Sequence, residues 1–265
     1  MTTQSFQKIS GTFFGLTLTM YKKTIIYLLP HYDDEMFVIP KIVTDLKNNY
    51  ELKFFFLMKS EQRLKESQKY LTRLGVYKEN IITIGEILDV EDGFIHLKIE
   101  SIYTILVSYL EKYSNIDEIV STAYEGGHND HDMASLIARC LAQKFKIKFM
   151  EFYLYNGNST RGKFYQVASP IQISKIITIK YSLRDFLTII IAPIFYKSQM
   201  NAMLGLWPFL LFKILLKKPL TLNVVETHEL FILANIEIPL YERWGRISQS
   251  ELRSIQDIFV KTYKE

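Results

Sequence analysis

A single cysteine occurs in the 265 residues of the chain, so any metal site here has to be built from His, Asp and Glu. That residue, Cys140, lies in ASLIARCLA, a helical apolar pattern that fits a buried thiol in a reducing compartment. No block of Lys or Arg occurs and the net charge is only +4, which excludes a surface that tracks nucleic acid. Long clean apolar runs are missing as well. The most apolar stretch, DFLTIIIAPIFYKSQMNAMLGLWPFLLFKILLKKPL, is broken by Pro193, by residues 197–199, by Asn201 and by Pro208, and neither half could span a bilayer. There is no Gly-rich phosphate loop, internal repeat, low-complexity segment or linker, which points to one domain. The apolar run near the start has only Lys8 ahead of it and no small-residue cleavage site after it, so a secretory leader is not expected. The expected domain covers 20–265, with 1–19 as an N-terminal extension. The expected location is cytoplasmic, with peripheral contact to a membrane left open.

What is present is globular. Hydrophobic residues make up 48% and charged residues 23%, enough apolar content for a proper core. Runs rich in Ile, Val, Phe and Tyr at 25–29, 52–58, 81–84, 116–121 and 148–154 are short and almost continuously apolar, as in parallel strands covered on both faces. Helical patterns separate them. In SEQRLKESQKYLTRLGV, Leu64, Leu71 and Leu74 share a face and Gly75 is placed to cap the end; 101–113 and 132–144 are two more. Repeated strand–helix units predict an α/β fold, a single Rossmann-like domain with a mainly parallel sheet flanked by helices and a site at the carboxyl rim of the strands.

Two polar clusters fall on that rim. The first, PHYDDE, follows the strand at 25–29; the second, AYEGGHNDHD, follows the strand at 116–121. Clustered carboxylates repel and are costly to desolvate, so acids beside a histidine call for a dication or for the free N–H groups of a helix start. Five histidines occur in the chain, and three of them lie in these two segments. His31 and Asp34 are three apart and can point at one centre, as can His128 and His131 with Asp130 between them. Two imidazoles and one carboxylate make a three-ligand zinc site with a position left for water, although spacing does not select which histidine binds. His96 and His228, in strand-like contexts, read as structural.

These residues carry a resemblance. P-H-Y-D-D-E and G-G-H-N-D-H are similar to the two signatures of the PIG-L/LmbE-like zinc de-N-acetylases, H-P-D-D-E and H-x-D-H, in order and post-strand placement. R-L-K-E-S-Q-K-Y-L-T-R-L-G-V at 63–76 resembles the family's Arg, Glu, Leu-Gly-Val stretch. YKSQ at 196–199 resembles its H-x-S-Q element, with Tyr196 in place of His. The resemblance spans about residues 24–199. It departs at Tyr32, where the family has Pro, at Phe37-Val-Ile-Pro-Lys, where small residues are usual, and at Lys59-Ser60, where a glycine-rich loop is shortened.

The resemblance implies one zinc ion per chain held by His31, Asp34 and His131. It makes Asp33 the general base, His128 the group that stabilises the oxyanion and protonates the leaving amine, and Asp130 the partner that orients a histidine. Arg63, at a helix start near the rim, is the candidate substrate-binding residue. The implied activity is hydrolysis of the N-acetyl group of an amino sugar, as a free, nucleotide-linked, lipid-linked or glycoconjugate substrate. Two other classes compete: a glycosyltransferase holding Mn²⁺ or Mg²⁺, and a non-catalytic relative that binds glycan or membrane. Oxygen-loving cations do not recruit two imidazoles, and a binding module needs neither Asp33 nor His128. Residues 186–216 have two readings. In one, Trp207, Phe209, Leu210, Leu211 and Phe212 meet a bilayer with Lys213, Lys217 and Lys218 beside them; in the other, the favoured one, they are buried in core helices.

Overall fold

This computed structural model describes residues 9–13, 16–20, 22–171 and 175–264, with 9–20 as backbone only. Residues 1–8 of the expected extension therefore lie outside the described ones. Residues 14 and 15 lie outside them as well, and 9–13 and 16–20 pair as two antiparallel strands, β1 (Ile9–Phe13) and β2 (Leu16–Met20). Strand and helix then alternate through β3 (Thr24–Leu29), α1 (Ile39–Lys47), β4 (Glu51–Phe56), α2 (Glu61–Leu74), β5 (Ile81–Thr83), α3 (Ile84–Leu88), α4 (Ile99–Leu110), β6 (Ile116–Thr122), α5 (Asn129–Phe145) and β7 (Lys148–Phe152). A short ladder, β8 (Tyr155–Asn156) and β9 (Gln166–Val167), precedes β10 (Lys175–Ile179). After it come α6 (Leu183–Ile190), α7 (Ala192–Phe195), α8 (Met200–Leu215), β11 (Leu220–Val225), α9 (Leu240–Arg243) and α10 (Gln249–Tyr263).

The main sheet has seven strands in the order β10-β11-β7-β6-β3-β4-β5. The five from β5 to β7 are parallel, and β11 and β10 extend one edge antiparallel. The mainly parallel α/β architecture expected above is the one observed. Its cause is visible in β3, whose six residues TIIYLL are all buried. Ile25, Tyr27 and Leu29 face one helical layer with Ile42, Leu71 and Leu210. Ile26 and Leu28 face the other with Leu106, Ile137 and Phe259. A strand buried on both faces has few polar positions to spare, and apart from Thr24 at its start and the Tyr27 hydroxyl its side chains are apolar.

From β3 the chain moves outward to β4 and β5, then returns to the other side of β3 as β6 and β7. The strand order thus reverses between β3 and β6, and the loops after these two strands face one crevice, where open α/β sheets bind ligands.

Boundaries shift in informative ways. Helix α5 begins at Asn129, three residues before the expected start, because the His128 ring accepts the Asp130 N–H and caps it. His131 therefore sits on the first helical turn. His96 and His228 are in 3-10 turns, Ile95–Lys98 and Thr227–Glu229, not strands. For His96 the reason is Gly93, whose φ of 91° turns the chain straight into the following helix. Residues 186–216 form α6, α7 and α8, and divide between the two readings. Leu210 is buried, Trp207 and Leu211 are partly buried, and Phe209 and Phe212 are 55% and 59% exposed. No helix among the described residues is long and apolar enough to cross a membrane.

Away from the crevice, a buried ionic knot ties the first helix to the sheet. Lys41 donates to Asp45 at 2.7 Å and also to Glu118, while the Tyr27 hydroxyl donates to Asp45 at 2.6 Å. Removing Lys41 would leave the buried Asp45 with no cation and Glu118 with only the more exposed Lys148, at 3.3 Å. Lys41→Met should cost roughly 3–5 kcal/mol in urea unfolding; a loss below about 1 kcal/mol would mean that water reaches the pair.

Candidate metal centre

The loop after β3 makes its turn at Asp33, whose φ of 142° is a backbone conformation rare outside glycine. The Asp33 N–H donates to the Glu35 carboxylate at 2.9 Å, and the His31 N–H to Asp34 Oδ2 at 3.0 Å. These two closures turn the side chains of His31 and Asp34 inward. Glu35 is fully buried and also accepts from the Ser67 and Tyr196 hydroxyls. Ser198 meanwhile bonds Glu66 on α2 through its N–H at 3.0 Å. The segments 63–76 and 196–199 therefore clamp the acidic loop from behind, and the Tyr196 phenol supplies a donor in its own right.

The second loop is built from glycine and buried acid. A Cβ on Gly127 would stand 1.9 Å from the Tyr155 carbonyl oxygen, so no side chain fits. Glu125 accepts from the N–H groups of Leu154 and Tyr155 at 2.7 and 3.0 Å, and Asp132 from those of Glu125 and Gly126 at 3.0 Å. The loop is thereby fixed between β6, β7 and the start of α5.

Across the crevice three ligand atoms converge. His31 Nδ1 lies 3.2 Å from His131 Nε2; Asp34 Oδ2 lies 3.5 Å from the first of these nitrogens and Asp34 Oδ1 3.5 Å from the second. Two imidazole nitrogens this close need a proton or a cation between them. Atoms that bind a metal at ~2.0–2.2 Å in a tetrahedron stand about 3.3–3.6 Å apart; the 3.5 Å contacts fall in that range and the 3.2 Å one is close to it. This set could hold zinc. All three residues are buried, as a site that excludes competing water requires. His131 Nδ1 has no hydrogen-bond partner, and the ring is held by packing against Tyr155, with centroids 5.6 Å apart.

The other nitrogen of His31 faces a second group of acids. Its Nε2 is 3.2 Å from Asp130 and 3.4 Å from Asp92. Asp130 is locked by the N–H groups of Gly93 at 2.6 Å and Ile95 at 3.2 Å, so it is a fixed acceptor that can set the His31 tautomer. His131 is not its partner. Asp33 is partly exposed at the edge of the crevice. Arg63 turns toward the rim, donating to Asp92 at 3.0 Å and touching the Met58 sulfur. His128 Nδ1 is committed to the Asp130 N–H; its Nε2 faces Asp92 at 3.7 Å and is in contact with the Arg246 guanidinium.

The charges are perturbed as such crowding requires. Burial, then the charge of Asp34, pushes the Asp33 carboxyl well above its ordinary value. For Asp34 burial acts upward too, but His131 and His31 outweigh it and hold the carboxyl well below the usual range. His31 is raised, since Asp92, Asp130 and Asp34 together outweigh its burial. His128 is lowered, first by burial and then by His31, His131 and Arg246.

Asp92 and Arg246 are site residues that sequence reading missed. Asp92 follows β5 and α3, at the same rim as the other loops, so its acids in LDVEDG were a usable signal. Arg246 comes from the turn between α9 and α10, and no local pattern marks it.

No protein-family model and no curated protein matches the sequence. Solved structures do match in fold. The zinc-inhibited form of teicoplanin deacetylase is similar at TM-score 0.59 and 12% identity, over 76% of this chain and 97% of that one. The N,N'-diacetylchitobiose deacetylase from Pyrococcus horikoshii is similar at TM-score 0.54 and 13% identity, over 80% and 86% of the two chains. The chain has the fold of these deacetylases, which is the fold that the PIG-L/LmbE resemblance implies.

The tight fit at Gly127 can be tested. Gly127→Ala should lower stability by about 1–3 kcal/mol by overpacking against the Tyr155 carbonyl, read in thermal or urea unfolding. An unchanged midpoint would show that the loop can yield at no cost.

Proposed function

We propose that this chain is a zinc-dependent hydrolase that removes the N-acetyl group from an amino sugar. The observation that carries the reading is the meeting of His31 Nδ1, Asp34 and His131 Nε2 in one crevice, with the His128 and His31 ring centroids 4.7 Å apart and Asp33 next to Asp34 in the chain. His31, Asp34 and His131 would hold the zinc. When bound, zinc supplies Lewis acidity, polarising a carbonyl and making water more acidic.

An amide is a poor electrophile, so the protein's own groups have to move protons and receive charge. Asp33 takes a proton from the attacking water, which bonds to the acyl carbon. The oxygen that becomes negative is met by His128. Its Nδ1 accepts a backbone N–H, so the neutral ring carries its proton on Nε2. That N–H and the donor-only Arg246 guanidinium beside it cannot bond each other, but both can donate to one oxyanion. Arg246 beside that nitrogen adds the positive charge that a neutral imidazole lacks. The carbon–nitrogen bond then breaks, and the amine leaves with a proton delivered from Asp33 or His128. Asp130 keeps His31 aligned throughout, as its two backbone donors allow. The Arg63–Asp92 pair at the rim offers donor and acceptor atoms to sugar hydroxyls.

The sugar assignment rests on the family resemblance and on the deacetylases that share the fold, one of which acts on diacetylchitobiose by its name. A glycosyltransferase reading is weaker, because Mn²⁺ and Mg²⁺ prefer oxygen ligands and two imidazoles crown this site.

The test is turnover of N-acetylglucosamine derivatives by the zinc-loaded protein and by Asp33→Asn. The variant should keep its zinc and fold but lose roughly 10²–10⁴-fold in kcat, the usual share of a general acid–base group. An unchanged rate would take the base role away from Asp33, and no release of acetate from any of these compounds would reject the amino-sugar substrate.

A further inference from the structure

Helices α6 to α8 carry an outer surface that the catalytic reading does not use. Leu183, Leu187, Ile190 and Ile194 are exposed, and their spacing puts them on one side of the α6–α7 segment. On α8, Met200, Leu204, Phe209, Phe212 and Leu215 are exposed, as is Leu216 just beyond it. The only charged residue among the 16 of α8 is Lys213, whose ammonium donates to the Ala168 carbonyl at 2.8 Å. The two helices are joined, since Trp207 Nε1 donates to the Ile189 carbonyl at 2.9 Å. That bond turns the tryptophan inward, so the outer surface is made by Leu and Phe side chains. Single exposed apolar side chains are common, but so many large ones on neighbouring helices are unusual for a monomeric soluble protein.

The exposed charge that this segment itself carries has one sign. Between residues 180 and 218 stand Lys180, Arg184, Lys197, Lys213, Lys217 and Lys218, while the single acid, Asp185, is buried and spent on capping α6 with Ser182. At its edge, Glu66 of α2 is engaged by Ser198. An apolar face whose own segment exposes only cations fits an anionic lipid surface, where acyl chains take the Leu and Phe side chains and headgroups take the cations. A soluble protein partner or a second copy would have to offer a matching apolar face with acids around it. This chain has no such face on α6–α8 itself, because those helices would meet a copy cation against cation.

The surface also connects with the crevice. Phe209 lies against Tyr165, with centroids 6.5 Å apart, Tyr165 against Tyr155 at 5.9 Å, and Tyr155 against His131 at 5.6 Å. An aromatic wall thus runs from the histidine cluster to the outer face of α8. We propose that α6–α8 form a docking face for anionic bilayers, which brings the wall of the crevice to the membrane surface. The proposal does not depend on the reaction, since it concerns partition alone.

Co-sedimentation of the full chain with phosphatidylcholine vesicles, with and without phosphatidylglycerol, tests it at low ionic strength. The protein should pellet with the phosphatidylglycerol vesicles and be released by salt. Each cation near an anionic leaflet strengthens partition about fivefold, so Lys217→Glu with Lys218→Glu should weaken it by more than roughly tenfold. Leu187→Ser with Phe212→Ser should weaken it comparably, and because these side chains are exposed the melting temperature should hold. A protein that stays in the supernatant with both kinds of vesicle would overturn the proposal. So would unchanged binding in both double variants. Self-association that Leu187→Ser with Phe212→Ser abolishes, without vesicle binding, would give the face to a second copy instead.

Discussion

A carboxylate removed from water has to meet donors or a cation, or the fold loses several kcal/mol. Asp34, Glu35 and Asp130 are all buried at one rim, around three buried imidazoles. Two of these acids are satisfied by the protein: Glu35 by Ser67, Tyr196 and the Asp33 N–H, and Asp130 by the N–H groups of Gly93 and Ile95. Asp34 differs. Beyond one backbone N–H, its oxygens face only imidazole nitrogens, which themselves crowd one another. A cation at that point relieves all three residues together. Much else at the rim follows from keeping them there, including the rare backbone angle at Asp33, the side-chain-free Gly127 and the clamp of α2 and Tyr196 on Glu35.

Topology makes the convergence possible. His31 and His131 are a hundred residues apart in sequence, yet adjacent parallel strands deliver them to one crevice because the strand order reverses between β3 and β6. This much was legible in the sequence. The doubly buried strands are short, nearly unbroken apolar runs, and polar clusters that follow such runs fall on the same rim. The i, i+3 pairs His31/Asp34 and His128/His131 already had the spacing to share a centre.

Other parts were not legible, for physical reasons. Helix α5 starts earlier than its apolar pattern because the cap is a histidine ring, which propensity alone does not single out. Asp92 lies among other acids in LDVEDG, where the sequence signals an acidic rim loop but does not say that this acid is the one that reaches His31 and Arg63. Arg246 reaches His128 from the far end of the chain, a contact made by tertiary packing alone. In 186–216, apolar residues on nearly every side left burial undecided. The structure divides them residue by residue, with Leu210 inside and Phe209 and Phe212 outside. Nor could the sequence show the state of His128, where burial, then His31, His131 and Arg246, favour a neutral ring beside the guanidinium's charge.

His31 presents one nitrogen to Asp34 and His131 and the other to Asp92 and Asp130, with His128 nearby, so two groups of ligands compete for a metal. Asp130 is already held by two backbone donors, which favours the first group and leaves Asp130 to orient the ring. Anomalous diffraction at the zinc edge from zinc-grown crystals decides between them. The account predicts one dominant peak within ~2.0–2.2 Å of His31 Nδ1, His131 Nε2 and an Asp34 oxygen. A dominant peak between His31 Nε2, Asp92 and His128, or none in the crevice, would contradict it.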